Sequence, residues 1–232
     1  YGLGSVLNHV MLHQTVIGLE AQKQMKKAGE GEPDTVIACC GGGSNFAGLA
    51  FPYVKQNMEG SDIDIVPVEP TACPTMTRGE FTYDYGDTGH KTPLMAMYTL
   101  GHAFVPPAIH AGGLRYHGMS PLVSEAIREG LVEPRAYDQL TSYESAMTWA
   151  NTEGLICAPE TSQALAAVID EAKKAREEGR EKNILFCYSG HGLLDLSAYE
   201  TYLDGELEDS TLSEERLAES LESIEDHPTP GD

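Results

Sequence analysis

The stretch DTVIACCGGGSNFAGLAFPYV, Asp34–Val54, constrains the fold more than any other part of the chain. Its first part is a continuous apolar run with β-branched residues, the pattern of a strand covered on both faces in a parallel sheet. Three glycines and a Ser-Asn pair follow, then a helix expected around Asn45–Gln56 with a break at Pro52. Glycines at the carboxyl end of a strand let backbone N–H groups face inward without Cβ obstruction, and the helix N-terminus beyond adds partial positive charge. Gly41, Gly42 and Gly43, with the Ser44 hydroxyl and the Asn45 amide as further donors, therefore predict an anion cradle. The loop departs from GxGxxG and from the Gly-Lys-Ser/Thr ending of the nucleotide phosphate loop, so a cofactor's phosphate monoester is expected rather than a nucleotide. The same glycines would also serve a tight structural turn, and the loop alone does not separate the two readings.

The neighbouring segments support one α/β unit with a parallel sheet. Apolar residues at helical spacing predict a long helix over Val6–Lys27, SDIDIVPVEP reads as a second strand ending at Glu69, and KNILFCYSGHG as another buried strand feeding a glycine turn. Thr71–Gly118 has poor periodicity and reads as a long irregular passage wrapped over a site. Helices are expected at Pro121–Glu129, at Ser142–Thr148 and after APETS. The division that follows is a catalytic-type unit over 1–203 and an acidic, partly helical tail over 204–232.

Composition limits the partners. The formal net charge of −21 argues against nucleic acid and against anionic membranes. The tail holds 11 of the 36 acids and a single base, Arg216, so the excess extends through the rest of the chain and suits a salt-rich cytoplasm. No window approaches the roughly 18 apolar residues of a membrane span, and no secretory pattern opens the chain, so a cytoplasmic location is expected. The five cysteines lack regular spacing and read as reduced, mostly buried thiols. His9 and His13 stand at i and i+4 without the glutamate of HExxH and read as packing or solvated residues. Ser189, in YSGHG, is not a nucleophile elbow, because Cys187 occupies the place of the first glycine; it reads as a hydrogen-bond partner at a strand's carboxyl end. Glu160 opens a helix, where an N-terminal capping role and a site role are equally open.

Taken in order and spacing, GSVLNHVMLHQTVIGLEAQKQM, VIACCGGGSNFAGLAFPYV, HAFVPPAIHAGGLRYHGMSPLVS, EGLICAPETSQALA and CYSGHGLLDL resemble the tryptophan synthase beta chain family, closest within it to the second group found largely in archaea and bacteria. The resemblance covers nearly everything before the acidic tail and corresponds to roughly the C-terminal half of a member. It implies a fold type II enzyme dependent on pyridoxal 5'-phosphate that joins L-serine and indole into L-tryptophan. In that frame Gly41, Gly42, Gly43, Ser44 and Asn45 hold the cofactor phosphate, with Gly4 and Ser5 nearby, and Ser189 faces the pyridine nitrogen. Glu160 assists loss of the serine hydroxyl and holds the indole N–H. Backbone carbonyls of Gly41, Tyr116 and Gly118 match a monovalent cation site for Na+ or K+. Arg115 stands where the main group has an aspartate, which raises O-phosphoserine as an alternative substrate.

The resemblance also implies a homodimer in the full-length protein and an alpha chain as a further partner. The family's cofactor-binding lysine belongs to the N-terminal half, and no lysine here sits in a comparable motif, so this chain alone is expected not to make tryptophan. Tyr1 in place of a methionine fits the latter part of something longer. The alternatives are a cysteine or threonine synthase-like enzyme of the same fold type, and a non-catalytic chain that needs a lysine-bearing partner.

Overall fold

The computed structural model describes residues 4–231. The chain opens with helices α1 (Asn8–Gln14) and α2 (Val16–Ala28), where one continuous helix is expected from periodicity. They part at Thr15, whose hydroxyl donates to the Leu12 carbonyl at 2.6 Å, a local bond that competes with the helical ladder. Strand β1 (Thr35–Cys39), helix α3 (Ser44–Met58) and strand β2 (Asp64–Pro70) then form the β-loop-α-β unit. Pro52 lies inside α3 and does not end it. The face of α3 around it is held against α2: Gly18 packs directly on the Leu49 carbonyl, and Gln22 Nε2 donates to the Pro52 carbonyl at 3.2 Å. Such packing offsets the roughly 3 kcal/mol that an interior proline costs.

Thr71–Gly118 is more regular than its composition suggests. Helix α4 (Thr75–Arg78) leads into an antiparallel hairpin of β3 (Glu80–Tyr85) and β4 (Leu94–Thr99), in register from Glu80 opposite Thr99 to Tyr85 opposite Leu94. The strands escape a hydropathy reading because the inward positions of β3 are the polar Thr82 and Asp84, while Phe81, Tyr83 and Tyr85 are half-buried. A 3-10 turn at Gly112–Leu114 follows, then α5 (Pro121–Arg128), the short strand β5 (Arg135–Tyr137), α6 (Gln139–Glu153) and α7 (Pro159–Glu178). Strand β6 (Ile184–Phe186), α8 (Leu196–Leu203) and α9 (Glu214–Leu221) complete the order.

The main sheet is parallel with order β5-β2-β1-β6. Successive β1 side chains serve opposite layers, as strand geometry requires. Val36 and Ala38 pack with α3 and α5 residues such as Phe46, Leu49 and Val123, whereas Ile37 and Cys39 pack with Ala164 and Ala167 of α7. Strand β6, expected to be buried, is half-buried along its length because it forms an edge of the described sheet. The acidic tail docks on the body: Leu212 and Leu217 join the layer beneath Ile37 and Val66, and Tyr83 N–H donates to the Pro228 carbonyl at 3.2 Å.

Glu69, near the carboxyl end of β2, is wholly buried and anchors α4. Its carboxylate accepts from the Thr75 hydroxyl, the Met76 N–H, and the N–H and hydroxyl of Thr77 at 2.7–3.1 Å. Burial nevertheless pushes this carboxyl from 4.5 to about 7. Between those values the folded chain binds the proton more tightly than the unfolded chain. The stability tied to Glu69 is therefore present below about pH 4.5 and lost as pH rises through about 7. Denaturant unfolding at pH 5 and pH 8 should show a smaller pH-dependent loss in Glu69→Gln than in the parent; equal slopes would contradict the assignment.

Candidate functional site

Neighbouring parallel strands bring their carboxyl ends to one edge of a sheet, so the loops after β1 and β6 converge. Their joining is reinforced by Asn45. Its Nδ2 donates to the Cys39 carbonyl at 3.0 Å, and its Oδ1 accepts from the Cys187 thiol at 3.3 Å. The Asn45 side chain thus ties the two strand ends together, where the residue pattern suggests an amide donor to the anion. Its backbone remains in the first turn of α3 and the residue lines the cavity.

That cavity, of about 380 Å³, is bounded by the glycine loop, Ser5, the Gly113–Leu114 turn, Glu160 and Ser189. The loop must be glycine for reasons of space. A Cβ on Gly41 would lie 2.5 Å from the Gly113 carbonyl oxygen, and one on Gly42 would lie 2.6 Å from Ser5 Cβ. Gly43, the N-cap of α3, has φ of +117° and would place a Cβ 2.6 Å from Ser120 Oγ. Among the described residues, the backbone N–H groups of Gly41, Gly42 and Gly43 donate to no other backbone group. Unspent N–H groups beside a helix N-terminus suit a phosphate monoester.

Across the cavity, Ser189 Oγ lies 2.8 Å from Thr161 Oγ1 and 3.6 Å from Cys39 Sγ. Thr161 is fully buried, and its hydroxyl also accepts from Gly190 N–H at 3.1 Å. With the Thr161 proton directed at Ser189, the Ser189 hydroxyl keeps its own proton for a ligand. Sequence reading missed Thr161; its signal was the hydroxyl immediately after Glu160 in APETS. Burial pushes the Cys39 thiol up to about 12, so this cavity residue is a neutral wall at physiological pH and not a thiolate nucleophile.

Glu160 lies in the first turn of α7 but caps no N–H of its own helix. Its Oε1 instead accepts from Gly113 N–H at 2.8 Å, which fixes a carboxylate at the cavity wall. Gly113 is a second residue that sequence reading did not single out. Ser5 lines the cavity, while the Gly4 carbonyl accepts from Leu7 N–H at 3.2 Å and a Cβ at Gly4 would meet nothing within 4 Å. The Tyr116 ring packs against Gly41 and Gly42, and Gly118 bridges to Thr99 beside Met97. Arg115 is exposed, donates to the Pro106 carbonyl at 2.8 Å, and is not among the lining residues. Among the described residues that line the cavity, none is a lysine.

Comparison with known proteins identifies the family and the relatives of the chain. The family described as pyridoxal-phosphate dependent enzyme matches residues 5–190. The chain is 59% identical over 210 residues to the tryptophan synthase beta chain of Thermococcus onnurineus, covering 90% of this chain and 47% of that protein. It is 57% identical over 208 residues to tryptophan synthase beta chain 2 of Methanothermobacter thermautotrophicus, covering 89% and 48%. The chain therefore spans about half the length of the curated relatives it matches. Among solved structures, a fungal L-serine ammonia-lyase from Rhizomucor miehei superposes with a TM-score of 0.63 at 14% identity, over 85% of this chain and 56% of that one. The processed form of threonine deaminase isoform 2 from Solanum lycopersicum superposes with a TM-score of 0.59 at 17% identity, over 84% and 49%. These likenesses place the α/β fold among fold type II enzymes.

Proposed function

The chain belongs to the pyridoxal-phosphate dependent enzyme family, and from that premise we propose that it forms the cofactor-phosphate half of a tryptophan synthase beta-type site in the full-length protein. The observation that carries the reading is the meeting of Gly41–Asn45, Ser189 and Glu160 around one cavity. The backbone of Gly41, Gly42, Gly43 and Ser44 holds the cofactor phosphate at the α3 N-terminus. Ser189, oriented by Thr161, offers a neutral hydroxyl to the pyridine nitrogen. When bound, pyridoxal phosphate supplies the electron sink for replacement at the substrate's β-carbon. A neutral partner at the ring nitrogen makes that sink weaker than an aspartate would, which favours elimination and replacement over transamination.

Glu160 acts on the substrates. Its carboxyl donates a proton to the departing hydroxyl of L-serine, and the resulting carboxylate accepts the indole N–H as the new carbon–carbon bond forms. The Gly113 N–H holds Glu160 in place through both stages. The cofactor-binding lysine is expected, on the family resemblance, in the half of the protein that this chain does not span.

L-serine suits the site better than O-phosphoserine, because the Arg115 guanidinium is engaged by the Pro106 carbonyl and lies outside the cavity lining. The test is tryptophan formation by the full-length protein from indole with either amino acid at equal concentration. Faster product from serine is expected; faster product from phosphoserine would overturn the substrate assignment, and none from either would overturn the activity. The same proposal includes a monovalent cation near the carbonyls of Gly41, Tyr116 and Gly118, supported by the packing of Tyr116 on Gly41. It also includes a homodimeric full-length protein, an alpha-chain partner, and a salt-rich cytoplasm in keeping with the charge of −21. Identity of 57–59% to tryptophan synthase beta chains favours this reading over another β-replacement enzyme.

A further inference from the structure

The β3–β4 hairpin carries a second cluster, apart from the cofactor cavity. Asp84 is wholly buried, and among the described residues its recorded ion pairs are with imidazoles alone: His102 Nδ1 at 2.7 Å, His227 Nδ1 at 3.8 Å and His117 Nε2 at 4.0 Å. A buried carboxylate costs several kcal/mol unless positive charge and hydrogen bonds compensate it. The hydrogen bonds are in place, since Oδ1 accepts from Tyr85 N–H and Oδ2 from the Thr99 hydroxyl, each at 2.7 Å. No lysine or arginine supplies the charge in these pairs.

We propose that Asp84, His102 and His227 bind a divalent transition-metal ion of the zinc class, which clamps the C-terminal segment to the hairpin. The three side chains come from β3, from the turn after β4 and from the segment after α9, and one ligand atom from each lies within 4.8 Å of the other two. An ion about 2.0–2.2 Å from each ligand in tetrahedral geometry needs ligand atoms roughly 3.3–3.6 Å apart. The His102 contact at 2.7 Å opens by less than about 1 Å, and the His227 contact at 3.8 Å closes by a similar amount, both within the reach of small ring rotations. The ion replaces the proton shared between Asp84 and His102, and it draws His227 Nδ1 from the Tyr83 carbonyl, which it meets at 2.8 Å.

Asp84 is pre-set for this role by the Tyr85 and Thr99 bonds, the kind of outer support that fixes a ligating carboxylate. His117 is not a ligand, because its Nε2 is the most distant of the three imidazole contacts, 4.0 Å from Asp84 Oδ2, and stands outside the set of ligand atoms that lie within 4.8 Å of one another. Water completes the fourth position. Two imidazoles with one carboxylate select zinc-class ions over calcium or magnesium, which prefer all-oxygen shells.

The test is calorimetric titration of Zn2+ into the chelator-dialysed full chain, alongside His227→Ala. His227 is half-buried in a peripheral segment, so its loss leaves the main sheet intact, as circular dichroism would verify. In the parent, one ion per chain is expected, with a higher thermal midpoint when it is bound; in the variant the affinity is expected to be weaker by at least about 100-fold, since loss of a direct ligand costs no less than loss of an outer-shell partner. Co2+ should give a tetrahedral visible spectrum in the parent that the variant lacks. Equal affinity and spectra in both proteins, or no binding to the parent, would overturn the proposal.

Discussion

Replacing Glu160 with glutamine in the full-length protein is expected to lower kcat for tryptophan formation by on the order of 10²–10⁴-fold, while cofactor binding stays unchanged. The amide keeps an oxygen for the Gly113 N–H, so the side chain stays where the carboxylate stands. What it loses is the ability to give a proton to the departing hydroxyl and to carry negative charge opposite the indole N–H. The split between chemistry and cofactor binding matters, because a merely structural Glu160 would affect both or neither. Wild-type turnover by Glu160→Gln would remove this residue from the mechanism.

Gly41→Ala is expected to be the most damaging single-methyl change in the cradle. The new Cβ would meet the Gly113 carbonyl oxygen at 2.5 Å and Leu114 Cα at 3.1 Å, both backbone atoms that no side-chain rotation can move aside. Overpacking of this kind costs about 1–3 kcal/mol, and if about 3 kcal/mol falls on the bound state, cofactor affinity drops about 100-fold. The displaced turn is also the one whose N–H holds Glu160, so activity falls further than affinity. Gly4→Ala is the matched control: nothing lies within 4 Å of its Cβ position, and it should retain both stability and cofactor. Equal cofactor titration curves for the parent and Gly41→Ala would mean that the loop does not have to fit so closely.

The central strand and its glycine loop were legible because a buried parallel strand leaves an uninterrupted apolar run, and a cradle at its end has to be glycine. The hairpin was not, because its inward positions are Thr82 and Asp84, which reverse the usual polarity of a half-buried strand. Pro52 misled for a related reason. The sequence states the local cost of an interior proline, but the Gly18–Leu49 contact that offsets it belongs to tertiary packing. Within the site, residue types pointed to Ser189 and Glu160, whereas their supports, Thr161 and the Gly113 N–H, are 28 and 47 positions away in the chain. Asn45 shows the converse: its amide suits an anion by type, but its partners, Cys39 and Cys187, turn it into a tie between strand ends. Asp84, His102 and His227 span most of the chain and share no motif, so only the folded hairpin brings them together.

The most direct test is an experimental structure of the full-length protein with pyridoxal phosphate bound. The account predicts phosphate oxygens at roughly 2.7–3.2 Å from the N–H groups of Gly41, Gly42 and Gly43, and Ser189 Oγ at the same range from the pyridine nitrogen. A phosphate held by another loop, or a ring nitrogen facing a group other than Ser189, would contradict it.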